Sequence, residues 1–382
     1  MAVEKGEEKI YSFSCCTLMF IMITASFLGL ASFIMFQNIK HNAYIAGLVG
    51  MILGLIFLFS FILLKKNMKN MDILEYNIDV FGKVFGNILN VIITLAIFII
   101  ATIFLQNIAQ FINSNYLVET SLIYIKILLL APVAYAASKK IATISKISQI
   151  IFIFDILFFI ISLAGVFEEF DFKRIMPVLS CSTHDLINSS LVFTICGLFS
   201  IFLLTVIPES KVHEDKKHNK KLILMYFISC IHVILIMLFV TLTLGEELLP
   251  LYKFPEYLTL QEFSLFTIVE RVENTLSIQF VLNMFVILTM MVYFIYNGIK
   301  KIIKRGFNQN GNVLLQKGRY ENLITIIISL LIMIFTSMFY KSTVMFAHFV
   351  EEYLIYIIGM GFVLPMYISL IGGVFKRKKE NN

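Results

Sequence analysis

Two charged side chains sit inside long apolar runs. Asp155 lies within Ile153-Phe154-Asp155-Ile156-Leu157-Phe158, and Lys126 within Tyr124-Ile125-Lys126-Ile127-Leu128. A charge in hydrocarbon costs at least ~2.5–3.5 kcal/mol, so each needs a partner, a proton or a way to water. Both are candidates for ion or proton coupling. The two runs would form a hairpin turning near Ser138 to Ser145. At ~1.5 Å per residue, Asp155 stands roughly 13 Å and Lys126 roughly 16 Å from that turn. The depths match within the reach of a lysine, so one reading pairs them. The other has Lys126 reaching out to the surface while Asp155 carries a proton. Both readings are open at this level.

A second kind of chemistry needs no charge. Ser26-Phe27-Leu28-Gly29-Leu30-Ala31 lies midway through the first apolar run. A helix in lipid must satisfy its own backbone, so small residues at mid-depth need a reason. One reason is an unwound point, whose freed N–H and C=O groups could hold a ligand. The other is close helix packing through small residues. Thr194-Ile195-Cys196-Gly197-Leu198-Phe199-Ser200 is a comparable stretch in a later run. The candidate ligand-binding residues are therefore Ser26, Phe27, Gly29, Leu30 and Ala31, with Cys196, Gly197 and Phe199. Thr289 and Tyr293, four apart on one helix face, would extend a polar lining. His232, alone in an apolar run, reads first as a packing residue.

The elements that must position these residues are membrane helices. The 382 residues are 59% hydrophobic and 15% charged, with mean hydropathy +0.88; no soluble domain of this length has that composition. Ten spans are expected, at 12–37, 43–64, 84–112, 119–137, 146–167, 187–207, 221–245, 274–300, 321–340 and 350–374. Basic clusters follow spans 2, 4, 6, 8 and 10, and the intervening loops are poor in Lys and Arg. The positive-inside rule then puts both termini in the cytoplasm. Nothing resembles a cleavable leader, so the first run is expected to stay. Ten spans divide into two halves, 12–167 and 187–374, of five each. An odd number inverts the second half relative to the first, which makes a single membrane domain of two inverted repeats. Gly29 and Gly197 then fall at corresponding places, and spans 1 and 6 are both expected to be broken. The proline-containing loop 246–272 is expected to fold over the outer mouth.

No phosphate-binding loop, zinc motif or nucleophile elbow is present, so no enzyme, metal or cofactor is expected. The five cysteines show no disulfide or metal spacing. The tail Lys376 to Lys379 fits topology and anionic lipid better than nucleic acid.

Three segments carry a resemblance: Phe254-Pro255-Glu256, Phe266-Thr267-Ile268-Val269-Glu270-Arg271-Val272-Glu273, and Met176-Pro177-Val178-Leu179. With the ten-span plan they resemble the spore germinant-receptor B subunits, the Ger-type spore permease family. Glu270, Arg271 and Glu273 are the motif positions. The resemblance implies an all-α LeuT-like 5+5 fold, related to amino-acid/polyamine/organocation transporters. It also implies a small nutrient germinant, such as an amino acid, sensed at the endospore inner membrane beside an A subunit and a C-subunit lipoprotein. In span 1 the family usually shows Gly-x-Gly followed by proline, where this chain has Gly29, Ala31 and Phe36. The proline that often precedes the glycine of span 6 is replaced by Cys196. A receptor, an ion-coupled permease and a germinant-gated water or ion channel would all use one such pocket.

Overall fold

A helix satisfies its own peptide groups, and a chain this apolar has little else to satisfy them with in lipid. The computed structural model describes residues 9–213, 215, 217–261, 273–306 and 319–381, and among these there is no strand element. The helices are α1 (Ser12–Ser26), α2 (Ser32–Ile39), α3 (Ala43–Met68), α4 (Ile73–Asn115), α5 (Leu122–Ala137), α6 (Ile141–Val166) and α7 (Thr183–Leu203). They continue as α8 (His218–Leu244), α9 (Pro255–Gln261), α10 (Glu273–Gly306), α11 (Arg319–Phe339), α12 (Thr343–Ile358) and α13 (Leu364–Asn381).

Eight helical stretches among the described residues are long and apolar enough to cross a membrane. The first, Ser12–Met68, holds 57 residues, roughly 85 Å of helix if it were straight against a ~30 Å hydrocarbon core. It turns back at Lys40 (φ 48°, ψ −123°), separating α1 and α2 from α3. The shorter Leu122–Ala137 is also apolar.

α1 and α7 form the centre. All but one of the fifteen residues of α1 are buried, and so is α7 from Val192 to Leu203 except for the half-buried Ile195. α1 packs on α6, α7, α8 and α10. The perimeter is apolar and exposed: Ile52, Ile56 and Phe59 on α3, Tyr124 and Leu128 on α5, Ile153 and Ile160 on α6, Ile327 and Phe335 on α11. That is the surface of a body solvated by lipid tails.

The loops sort onto two faces. On one, Ile10 pairs with Val212 and Lys65 reaches the carbonyl of Ile207. There too Arg377 donates to the carbonyl of Lys66 at 3.0 Å, Lys301 pairs with Asp72 and Glu75, and Lys376 pairs with Asp79 at 2.8 Å. On the other, Lys40 meets Glu246 at 3.0 Å, Gln37 reaches the carbonyl of Pro250, and Asn42 donates to Ser180 at 3.0 Å. The N-terminal segment, the basic ends of α3, α10 and α13, and the segment after α7 thus share one face, called the basic face below.

Span 1 is broken where small residues were expected to break it. Leu28 (φ −57°, ψ 116°) and Gly29 (φ 65°, ψ 7°) leave helical geometry between α1 and α2. Span 6 is not. α7 runs without interruption through Gly197 to Leu203. A glycine lowers helix propensity but does not break a helix whose neighbours stay bonded: Thr194 caps the carbonyl of Ser190 at 2.8 Å and Ser200 reaches that of Cys196 at 3.4 Å. Two interruptions were not expected, a kink at Gly82 (φ 79°, ψ 178°) in α4 and a widened turn, Gly359–Val363, between α12 and α13.

A Cβ at Gly197 would meet no atom within 4 Å. Gly197→Ala should therefore stabilise the purified protein by about 0.5–1 kcal/mol, the usual helical gain over glycine. Thermal unfolding in detergent measures it, and a clear loss of stability would contradict a continuous α7.

Candidate functional site

The break in span 1 frees peptide groups, and two side chains take them. The Ser32 hydroxyl donates to the carbonyl of Phe27 at 2.8 Å and accepts from the N–H of Gly29 at 3.2 Å. Asn107 of α4 donates to the carbonyl of Leu28 at 3.1 Å. Only glycine takes the Gly29 backbone angles without strain, and Phe254 rests where any side chain on Gly29 would go. Facing the break from α7, the carbonyl of Cys196 accepts from Ser26 at 3.4 Å, and Ser200 donates to the carbonyl of Met22 at 2.9 Å. Phe27 packs on Phe193 with ring centroids 4.5 Å apart, and Phe199 packs on Phe362 at 5.1 Å. Leu30 and Ala31 are fully buried.

The loop after α8 closes this region from the face opposite the basic one. Phe254 sits in an aromatic cluster with Phe111 and Phe280. On one side of it, Lys253 donates to Gln110 of α4 at 2.6 Å, with its ammonium 4.2 Å from the centre of the Phe346 ring. On the other, Glu256 at the start of α9 is 3% exposed and lies beside Ser32. Glu256 lines a small cavity with Thr24, Phe27, Leu28, Ser32 and Met237. Burial pushes the Glu256 carboxyl up to about 7, and burial pulls the Lys253 ammonium down to about 7. Among the described residues neither forms an ion pair.

α4 supplies an unusual amount of unused hydrogen-bonding capacity at the same depth. Both amide atoms of Gln106, Oδ1 of Asn107, Nε2 of Gln110 and Oε1 of Glu256 are buried without a hydrogen-bond partner among the described residues. Groups of this kind are costly unless something polar meets them. The arrangement can therefore take a small polar molecule bearing both charges, once Phe254 moves aside.

Residues 9–345 match the family model described as spore germination protein. The chain belongs to that family. No curated protein matches it.

In this spore germination protein the other expected site residues fall elsewhere. Thr289 bonds to the carbonyl of Phe285 within α10, and the carbonyl of Tyr293 accepts from Asn297; no bond among the described residues carries either to the break. Glu270 and Arg271 lie outside the described residues. Glu273 opens α10, buried, on the face opposite the basic one. Lys126 and Asp155 do not pair. α10 packs against both α5 and α6, and α5 turns toward α11. Lys126 donates to Ser337 of α11 at 3.4 Å, while Asp155 accepts from Asn283 of α10 at 2.9 Å. Matching depth along two helices left the rotation of each unspecified. His232 packs between Phe20 and Phe159.

Lys253, Phe254, Glu256 and the α4 amides were not on the list of ligand-binding candidates. Their signal was nevertheless present: three carboxamides within five residues of an apolar helix, and a lysine and a glutamate flanking Phe254-Pro255.

Two outcomes test this geometry. Gly29→Ala should destabilise by about 1–2 kcal/mol through its positive φ, and more through contact with Phe254. In a Phe254→Ala background the cost should shrink; strictly additive effects in a double-mutant cycle would refute the contact. The two buried charges also set a pH dependence. The raised Glu256 carboxyl favours the docked loop at low pH, and that support is lost as pH climbs toward about 7. The lowered Lys253 ammonium costs docking below about 7, a cost that fades as pH rises from there. Hydrogen exchange of residues 250–261 should show docking weakest near pH 7. Glu256→Gln should remove the acid limb and Lys253→Met the alkaline limb.

Proposed function

We propose that this chain is the membrane receptor subunit of a spore germination complex, and that a small zwitterionic nutrient, an amino acid in type, binds at the break in span 1. The observation that carries the reading is the pair of oppositely charged, ion-pair-free groups, Lys253 and Glu256, on either side of Phe254 above Gly29. A carboxylate would meet Lys253 and the peptide N–H groups at the start of α2, where the helix dipole also favours an anion. An ammonium would meet Glu256. Ser26, Leu30 and Ala31, with Cys196, Gly197 and Phe199 of α7, complete the wall. The structure holds the pocket shut, so binding selects a conformer in which Phe254 has moved, and that shift is the signal.

The wider frame follows from the same reading. The eight long apolar stretches become ten spans when α1–α2 is counted apart from α3 and Leu122–Ala137 is included. Two inverted sets of five, LeuT-like, are then built from 12–167 and 187–374. The basic face is cytoplasmic by the positive-inside rule, with both termini on it, in the endospore inner membrane. The partners are an A subunit and a C-subunit lipoprotein. The second reading, an ion-coupled amino acid permease, draws on Asp155.

Spores carrying Lys253→Met or Glu256→Gln, screened against single L-amino acids, test the site. The effective germinant concentration should rise at least tenfold, about 1.4 kcal/mol of binding, with the protein at normal abundance by immunoblot. An unchanged response at normal abundance would remove both residues from the site. Uptake of labelled amino acid by vesicles of the purified chain would favour the permease.

A further inference from the structure

Asp155 is 1% exposed, midway along α6, and its two carboxyl oxygens are treated unequally. Oδ1 accepts from Nδ2 of Asn283 at 2.9 Å. Oδ2 has no hydrogen-bond partner among the described residues, and neither does Oδ1 of the same Asn283. A carboxylic acid and a primary amide close a ring with two hydrogen bonds: amide N–H to one carboxyl oxygen, and carboxyl O–H to the amide oxygen. One arm of that ring is formed. The two atoms of the other arm are both acceptors, and a single proton on Oδ2 would satisfy both.

We infer that Asp155 and Asn283 form a proton-binding site in the membrane interior, with the proton carried on Asp155 Oδ2 and donated to Asn283 Oδ1. An ionised Asp155 would leave an uncompensated charge and two buried acceptors. Gln279, one turn along α10, stands beside the same carboxyl. It also lines a cavity with Ser162 of α6 and with Glu256 and Thr259 of α9. Most of that cavity's lining is apolar, and its polar side chains, with Gln279 nearest Asp155, mark the path by which this proposal brings protons in from the face opposite the basic one. Glu256 also lines the cavity at the break in span 1, so the cavity beside Gln279 and the nutrient site proposed above share one residue.

The other titratable groups around α6 are accounted for. Lys126 of α5 faces Ser337, and His232 of α8 sits among phenylalanines. Glu273 lies at the far end of α10, Tyr293, Lys300 and Lys301 lie toward the basic face, and α1 offers only Cys15 and Cys16. Among the described residues none of these forms an ion pair with Asp155.

Infrared spectra of the full-length protein in lipid vesicles at neutral pH test the proposal. The difference between wild type and Asp155→Asn should contain the C=O band of a protonated carboxyl. That band should move to higher frequency in Asn283→Leu, which removes its acceptor, and shift in deuterium oxide as the site exchanges. A difference spectrum containing only carboxylate bands overturns the proton site. An unmoved band in Asn283→Leu overturns the acid–amide pair, and no shift in deuterium oxide overturns the route. Should Asp155→Asn fail to fold, carbon-13 NMR of aspartate-labelled wild type gives the same answer, because a buried protonated carboxyl resonates apart from ionised ones.

Discussion

The peptide groups released where span 1 unwinds must be met inside the protein, because lipid offers them nothing. Ser32, as both donor and acceptor, and Asn107, reaching across from α4, meet them. This requirement fixes much else. It ties α4 to the break, places a run of carboxamides against it, and demands a residue without Cβ at position 29, which in turn lets Phe254 press onto bare backbone. The centre of the molecule is where the cost of an irregular backbone is offset by polar side chains that have few other uses in a chain this apolar.

Much of the fold was legible in the sequence because two signals in it are physically direct. Apolar length reports hydrocarbon thickness, and every expected span has a helix at its position. Alternating basic loops report sidedness, and contacts such as Ile10 with Val212 and Arg377 with Lys66 gather those segments on one face. The break at Gly29 was legible because three small residues, Ser26, Gly29 and Ala31, stand within six positions at mid-span. Gly197 misled because one glycine in a helix with bonded neighbours costs less than ending the helix would. The Lys126–Asp155 pair misled because depth is a one-dimensional coordinate, and pairing also depends on which way each helix is turned. Asn283, the partner Asp155 has, lies 128 positions away, and no local spacing connects them.

Spans 1 and 6 therefore differ in kind. The first is interrupted at the core of the fold, and α7 is a continuous rod buried against it. α7 is suited to act as the fixed wall, with Ser200 and the carbonyl of Cys196 holding α1 in place. α2 is joined to α1 through the two non-helical residues Leu28 and Gly29, which make the joint between them. The widened turn at Gly359–Val363 lies against α4 and α7, so the final span is also jointed near the same level.

The two ends of the molecule are fastened by different forces. The basic face is stitched by Lys301 to Asp72 and Glu75 and by Lys376 to Asp79, charges near water whose attraction falls as ions screen them. The opposite end has the exposed pair Lys40 with Glu246, but it is shut over the break by aromatic packing of Phe254, Phe111 and Phe280, which screening hardly touches. Ionic strength on the basic side would thus loosen one fastening and spare the other.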